Sequence, residues 1–152
     1  MLNNQATHSG TQGVKEVISA TYPELAIMAE ASGNWQRDQA KVIVREWLKA
    51  FGREKMDAII SNNDDMALGA LAALDEAGIA DVVVLGIDAT PEALEAIQDG
   101  RMAGTVLQDP VAQGKGAMEI AVRAVKGEKQ AQNFILPSEL DTMDTLDTSL
   151  EK

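Results

Sequence analysis

The chain has 152 residues, 45% of them hydrophobic and 24% charged, enough for one globular domain with a real core. Its net charge of −11, without any basic run, argues against a nucleic-acid partner and disfavours an anionic membrane surface. The lack of cysteine excludes a disulfide framework and a thiolate metal site, and no apolar run approaches the ~20 residues of a membrane-spanning helix. Residues 1–20 carry no signal-peptide pattern, so the chain reads either as cytoplasmic or as a mature or trimmed piece of something longer.

The clearest pattern is strand and helix in alternation. "ELAIMAE" predicts a short buried strand at Leu25–Ala29. Ala40, Ile43, Val44, Trp47, Leu48 and Phe51 then recur at helical spacing and predict one amphipathic helix. "MDAIISNN" predicts a strand at Ala58–Ser61, and "DDMALGALAALDEAG" a helix closed by Gly78. The apolar run from Val82 to Leu85 predicts a strand, followed by a short helix with Thr90 as N-cap, Pro91 in its first turn and Gly100 after its end. "MAGTVLQD" predicts another strand, and a helix opened by Pro110 runs to about Gly127. Continuous apolar strands joined by helices imply a doubly wound, mostly parallel α/β sheet with helices on both faces. Ser138–Lys152 is acidic, lacks aromatics and reads as a weakly packed tail.

In such a sheet, ligands bind beyond the carboxyl ends of the strands. There stand Gly33-Asn34-Trp35, Asn62-Asn63-Asp64-Asp65, Asp88, and Gln108-Asp109. An amide- and carboxylate-rich rim with one aromatic plate suits a sugar: the polar groups match hydroxyls that donate and accept, and an indole stacks on the C–H face of the ring. Each residue also has a structural role open to it. Trp35 would staple the start of its helix, Asn63 and Asp64 would cap the next one, and Asp88 would shape the loop to Pro91. Met66 and Met118 read as core filler, and His8 either as a solvated loop residue or as facing a ligand. Asp64, Asp65, Asp88 and Asp109 would also suit Mg²⁺ and a phosphate. No phosphate-cradling loop, nucleophile elbow or helper lysine accompanies them, so the rim reads as a binding site needing no metal or cofactor.

The stretches "GNWQRDQAKVIVREWLKAF", "AIISNNDDMALGALAAL" and "VVVLGIDATPEALEAIQDGRMAGTVLQDP" carry a family resemblance. From about Gly13 to Leu140 the chain resembles the carboxyl-terminal half of the periplasmic sugar-binding proteins of ABC transporters, nearest to the galactose/glucose- and ribose-binding proteins of the periplasmic binding protein type 1 fold. The resemblance implies two lobes closing on a monosaccharide, with residues 1–137 as one lobe, residues 138–152 as the acidic tail, and helix 110–127 crossing to the other lobe. It gives Trp35 the role of stacking on the sugar, Asn63 and Gln108 those of amides bonding its hydroxyls, and Asp88 that of the accepting carboxylate. It implies a binding protein and not an enzyme, located in the periplasm and serving a membrane permease.

The chain departs from the family pattern in three ways. The region matching the family's sugar-binding arginine is His8-Ser9-Gly10-Thr11-Gln12, so only His8 or Gln12 is left to substitute. The amino-terminal lobe is not in the chain, which implies weak or undetectable sugar binding by this chain alone. Met1-Leu2 would end the lobe's first strand, and Ala117, Ile120, Ala121, Ala124 and Val125 would lack their cover, which favours a homodimer or a swapped assembly. Two other readings stand beside this one: an effector-binding fragment of a sugar-responsive transcription regulator, and an inactive truncation product.

Overall fold

A computed structural model of the protein describes residues 5–129, 131 and 136–146. In chain order it contains α1 (Gln5–Thr21), α2 (Arg37–Phe51), β1 (Ala58–Ile60), α3 (Asp64–Glu76) and β2 (Val83–Ile87). There follow α4 (Pro91–Gln98), β3 (Gly104–Leu107), α5 (Pro110–Val125) and β4 (Glu139–Thr142). The strands form one sheet in the order β1-β2-β3-β4; β1, β2 and β3 are parallel, and β4 is antiparallel to β3. The helices start and stop where local chemistry requires. Asn63 Oδ1 accepts from the Met66 N–H at the start of α3, and Asp109 caps two N–H groups of α5. Pro91 and Pro110 stand in first turns, and Gly78, Gly100 and Gly127 follow helix ends with φ of 68°, 71° and 76°.

The core explains why α3 is apolar almost all round. It lies between α2 and the sheet, packed on both. Leu71 and Leu74 meet Val44 of α2, Val84 of β2 and Ala96 and Ile97 of α4 in one buried cluster. The stripe on α2 points this way too, with Ala40 and Val44 buried and Trp47 and Leu48 packed against the cluster.

Some expectations need correction. The predicted strand at Leu25–Ala29 is irregular chain outside the sheet, with Leu25, Ile27 and Met28 at 53%, 42% and 49% exposure. An apolar run becomes a strand only where a backbone partner lies alongside; here a cavity of ≈ 430 Å³ separates it from β1. The strand expected at Val82–Leu85 begins one residue later and continues to Ile87, because pairing with β1 and β3 sets its limits. Most of the described part of the acidic segment is not a loose tail: Glu139–Thr142 is β4, and Leu146 is buried in the core cluster. Residues 147–152 lie outside the described residues, as do Met1 and Leu2. Met118 is 66% exposed and fills no core. On α5, Ala117, Ala121 and Ala124 are exposed, Val125 is 90% exposed and Ile120 is half-buried.

Candidate functional site

Because β1, β2 and β3 run parallel, the residues that follow them share one end of the sheet. Ser61-Asn62-Asn63 follow β1, Asp88 follows β2 and Gln108 follows β3. A cavity of ≈ 360 Å³ opens between α1 and this end, its wall including His8, Thr11, Gln12, Trp35, Asn62 and Met66. The volume falls within the ~300–1,000 Å³ range of small-molecule sites.

Trp35 is half-buried in that wall, held by a polar loop. Asn34 Nδ2 donates to Gln39 Oε1 at 2.8 Å, Gln39 Nε2 donates to Gln36 Oε1 at 2.7 Å, and the Gln36 N–H donates to the Gly33 carbonyl at 2.9 Å. One residue after Gln36, the Arg37 guanidinium forks onto Glu92 of α4 at 2.5 and 2.7 Å and reaches Asp65 of α3 at 3.0 Å. These contacts hold Asn34 and Trp35 at φ of 51° and 65°. A non-glycine residue in the left-handed region costs of order 1–3 kcal/mol and persists only where its surroundings over-determine it. The hydrogen bonds from Arg37 hold the Glu92 carboxyl below its ordinary value of 4.5.

Asn63 is 8% exposed, and the cap on α3 uses its side-chain oxygen. Capping and ligand contact do not exclude one another, since the amide NH₂ is a separate donor. The neighbouring Asn62 lines the cavity and donates to Thr11 Oγ1 of α1 at 3.2 Å.

Asp88 is exposed at the rim with φ 118°, followed by Ala89 at φ 56°. Partial desolvation of its loop pushes its carboxyl above the ordinary 3.8, and the nearby charges of Asp64 and Asp65 add to this. Asp64 is fully buried beneath that loop. Its two oxygens accept from Thr105 Oγ1 and from the Thr90 N–H, each at 2.7 Å. Burial pushes the Asp64 carboxyl up, against the opposing hydrogen bonds from Thr105 and Thr90. Gln108 is exposed.

Of the residues singled out from the sequence, the structure brings Trp35 and His8 to one cavity wall. Asn63, Asp88 and Gln108 stand at the same end of the sheet but outside that wall. Sequence reasoning counted Asn62 in the rim but gave it no role of its own, and it passed over Thr11 as a cavity residue and Asp64 and Thr105 as the support of the Asp88 loop. The doubled Asn62-Asn63 was the available signal for Asn62. Nothing local links Asp64 to Thr105, 41 positions apart.

A family model described as "Periplasmic binding protein domain" matches residues 1–129. The chain is 35% identical over 142 residues to a xylitol-binding protein of Mycolicibacterium smegmatis, covering 92% of this chain and 40% of that protein. It is 35% identical over 118 residues to the ribose import binding protein of Salmonella typhimurium, covering 78% and 38%. A solved structure of a Caulobacter myo-inositol binding protein bound to myo-inositol is similar at a TM-score of 0.84 and 36% identity, over 91% of this chain and 47% of that one. The chain thus spans less than half the length of these relatives. On this match and on the fold that carries it, the chain belongs to the periplasmic binding protein domain family.

Proposed function

We propose that the chain is one lobe of the solute-binding component of a sugar ABC transporter. Its part is to present one face of a site for a monosaccharide or polyol, which a second lobe closes. Trp35 stacks on the ligand's C–H face, while Asn63, Asp88 and Gln108 bond its hydroxyls. His8, on the cavity wall, stands where a further donor is useful. The complete protein works in the periplasm and delivers its ligand to a membrane permease.

One observation carries the reading. The indole at Trp35 and the carboxylate at Asp88 stand on separate loops at one end of the sheet, and both are held at positive φ. Such backbone cost is retained where a side chain must be aimed. The relatives support the ligand class, since their names and titles give ribose, xylitol and myo-inositol.

The test is a fluorescence titration of the chain with monosaccharides and polyols to millimolar concentration, beside Trp35→Ala and Asp88→Asn. A saturable response to one ligand is expected, lost in Trp35→Ala, where Trp47 remains as reporter, and weakened in Asp88→Asn. A response indifferent to both substitutions overturns the reading; if the lobe alone gives no response, the same substitutions in the two-lobed protein decide, and indifference there overturns it.

A further inference from the structure

The loop that carries Asp88 is held from below by two buried side chains. Asp64 is 0% exposed and belongs to the first turn of α3; Thr105, also 0% exposed, belongs to β3. Thr105 Oγ1 donates to Asp64 Oδ1 at 2.7 Å and accepts from the Ala89 N–H at 3.2 Å. The Thr90 N–H donates to Asp64 Oδ2 at 2.7 Å. The two N–H groups that follow Asp88 are thus tied, one through a hydroxyl and one directly, to a single carboxylate. Both hydrogen bonds onto Asp64 come from donors, one to each oxygen, so the carboxyl serves as an acceptor.

The sequence makes room for this carboxylate at one place. A Cβ at Gly86 would lie 2.1 Å from Asp64 Oδ1. Gly86 sits on β2, two residues before Asp88, so the strand that ends in Asp88 is also the strand that lets Asp64 in. A buried carboxylate is costly unless its hydrogen bonds are made, and here one is made to Thr90 and the other to Thr105, whose hydroxyl in turn holds Ala89, on the loop with φ of 118° and 56° at Asp88 and Ala89.

We propose that Asp64 and Thr105 are positioning residues for the rim: they clamp the Ala89 and Thr90 amides and so hold the Asp88 carboxylate in its ligand-facing orientation. That Asp88 meets a ligand rests on the sugar-binding reading above; that the clamp orients Asp88 does not. The clamp joins α3, whose N-cap is Asn63, to the β2–α4 loop, so it also fixes the spacing of Asn63 and Asp88.

The experiment compares Asp64→Asn, Thr105→Val and Thr105→Ser by amide hydrogen exchange and by NMR titration of the Asp88 carboxyl. Asparagine keeps the shape but replaces one acceptor with a donor; valine keeps the volume and removes the hydroxyl; serine restores it. Exchange at Thr90 in Asp64→Asn, and at Ala89 in Thr105→Val, is expected to quicken at least about tenfold over wild type. Thr105→Ser should return Ala89 to near the wild-type rate. Asp64→Asn should also lower the midpoint of Asp88 titration, because a negative charge beside it is gone. A role confined to packing would leave Ala89 exchange unchanged in Thr105→Val and would not be rescued by Thr105→Ser, which loses a methyl group. If Asp64→Asn does not fold, the two Thr105 variants decide the matter. Unchanged exchange at Ala89 in Thr105→Val overturns the clamp. These readouts need no sugar, so a ligand response indifferent to Trp35 and Asp88 would sink the functional reading and leave the clamp standing.

Discussion

Gly69→Ala tests the packing that sets Trp35 in place. Gly69 lies in the middle of α3, facing the first turn of α2. A Cβ there would lie 2.2 Å from the Arg37 carbonyl oxygen and 3.0 Å from its carbonyl carbon. That is roughly 1.2 Å short of ordinary van der Waals contact, and the obstruction is backbone, which cannot rotate away. Two effects oppose. Alanine in place of glycine inside a helix stabilises by about 1 kcal/mol. Forcing apart two packed helices costs ~1–3 kcal/mol, and a backbone obstruction belongs at the upper end. The clash therefore wins, with a net loss of about 1–2 kcal/mol. For a domain of this size that lowers Tm by roughly 2–8 °C. Gly114→Ala is the control, since a Cβ there meets nothing within 4 Å inside α5. It should leave Tm unchanged or raise it slightly. Thermal unfolding followed by circular dichroism gives both numbers, and Trp35 emission should shift in Gly69→Ala alone, because Arg37 lies two residues beyond it. Equal Tm values for the two variants would refute the close α2–α3 approach.

Leu74→Ala, at a position 2% exposed in the core, should lower stability by about 2–5 kcal/mol in chemical denaturation. Ligand affinity should fall as pH drops through the raised titration range of Asp88, above its ordinary 3.8, because the protonated carboxyl loses acceptor strength; Asp88→Asn should weaken binding about 10- to 100-fold and remove that pH dependence. Arg37→Gln should cost under about 1 kcal/mol, since the Arg37–Glu92 pair is solvent-exposed. The Glu92 contribution is present above its ordinary 4.5 and lost as pH falls through its lowered range, so the difference between wild type and Arg37→Gln should shrink in acid. Sedimentation of the chain should show self-association through the exposed face of α5, reduced by Val125→Asp, whose parent side chain is 90% exposed.

Periodicity and capping chemistry made much of the fold legible. The stripe from Ala40 to Phe51, the caps at Asn63 and Thr90, and the helix-ending Gly78 and Gly100 are local signals, and each marks a real boundary. The end of the sheet on which Asn63, Asp88 and Gln108 fall followed from reading the strands as parallel, whereas Trp35, expected there after a strand that does not form, reaches the cavity wall from the loop before α2. Partnership was not legible. Leu25–Ala29 and Glu139–Thr142 both needed a neighbour to become strands; the apolar segment found none, and the acidic one found β3, with Gly104 opposite Thr142. Nor could sequence show that Asp64, read as a first-turn acid, turns inward under the Asp88 loop. The sequence by itself determined the class of the fold and the limits of the capped helices α3 and α4, because these follow from patterns a few residues apart. Only the tertiary structure decided which strands pair, which carboxylate is buried and which glycines make room for it, because those contacts join residues tens of positions apart that meet only after folding.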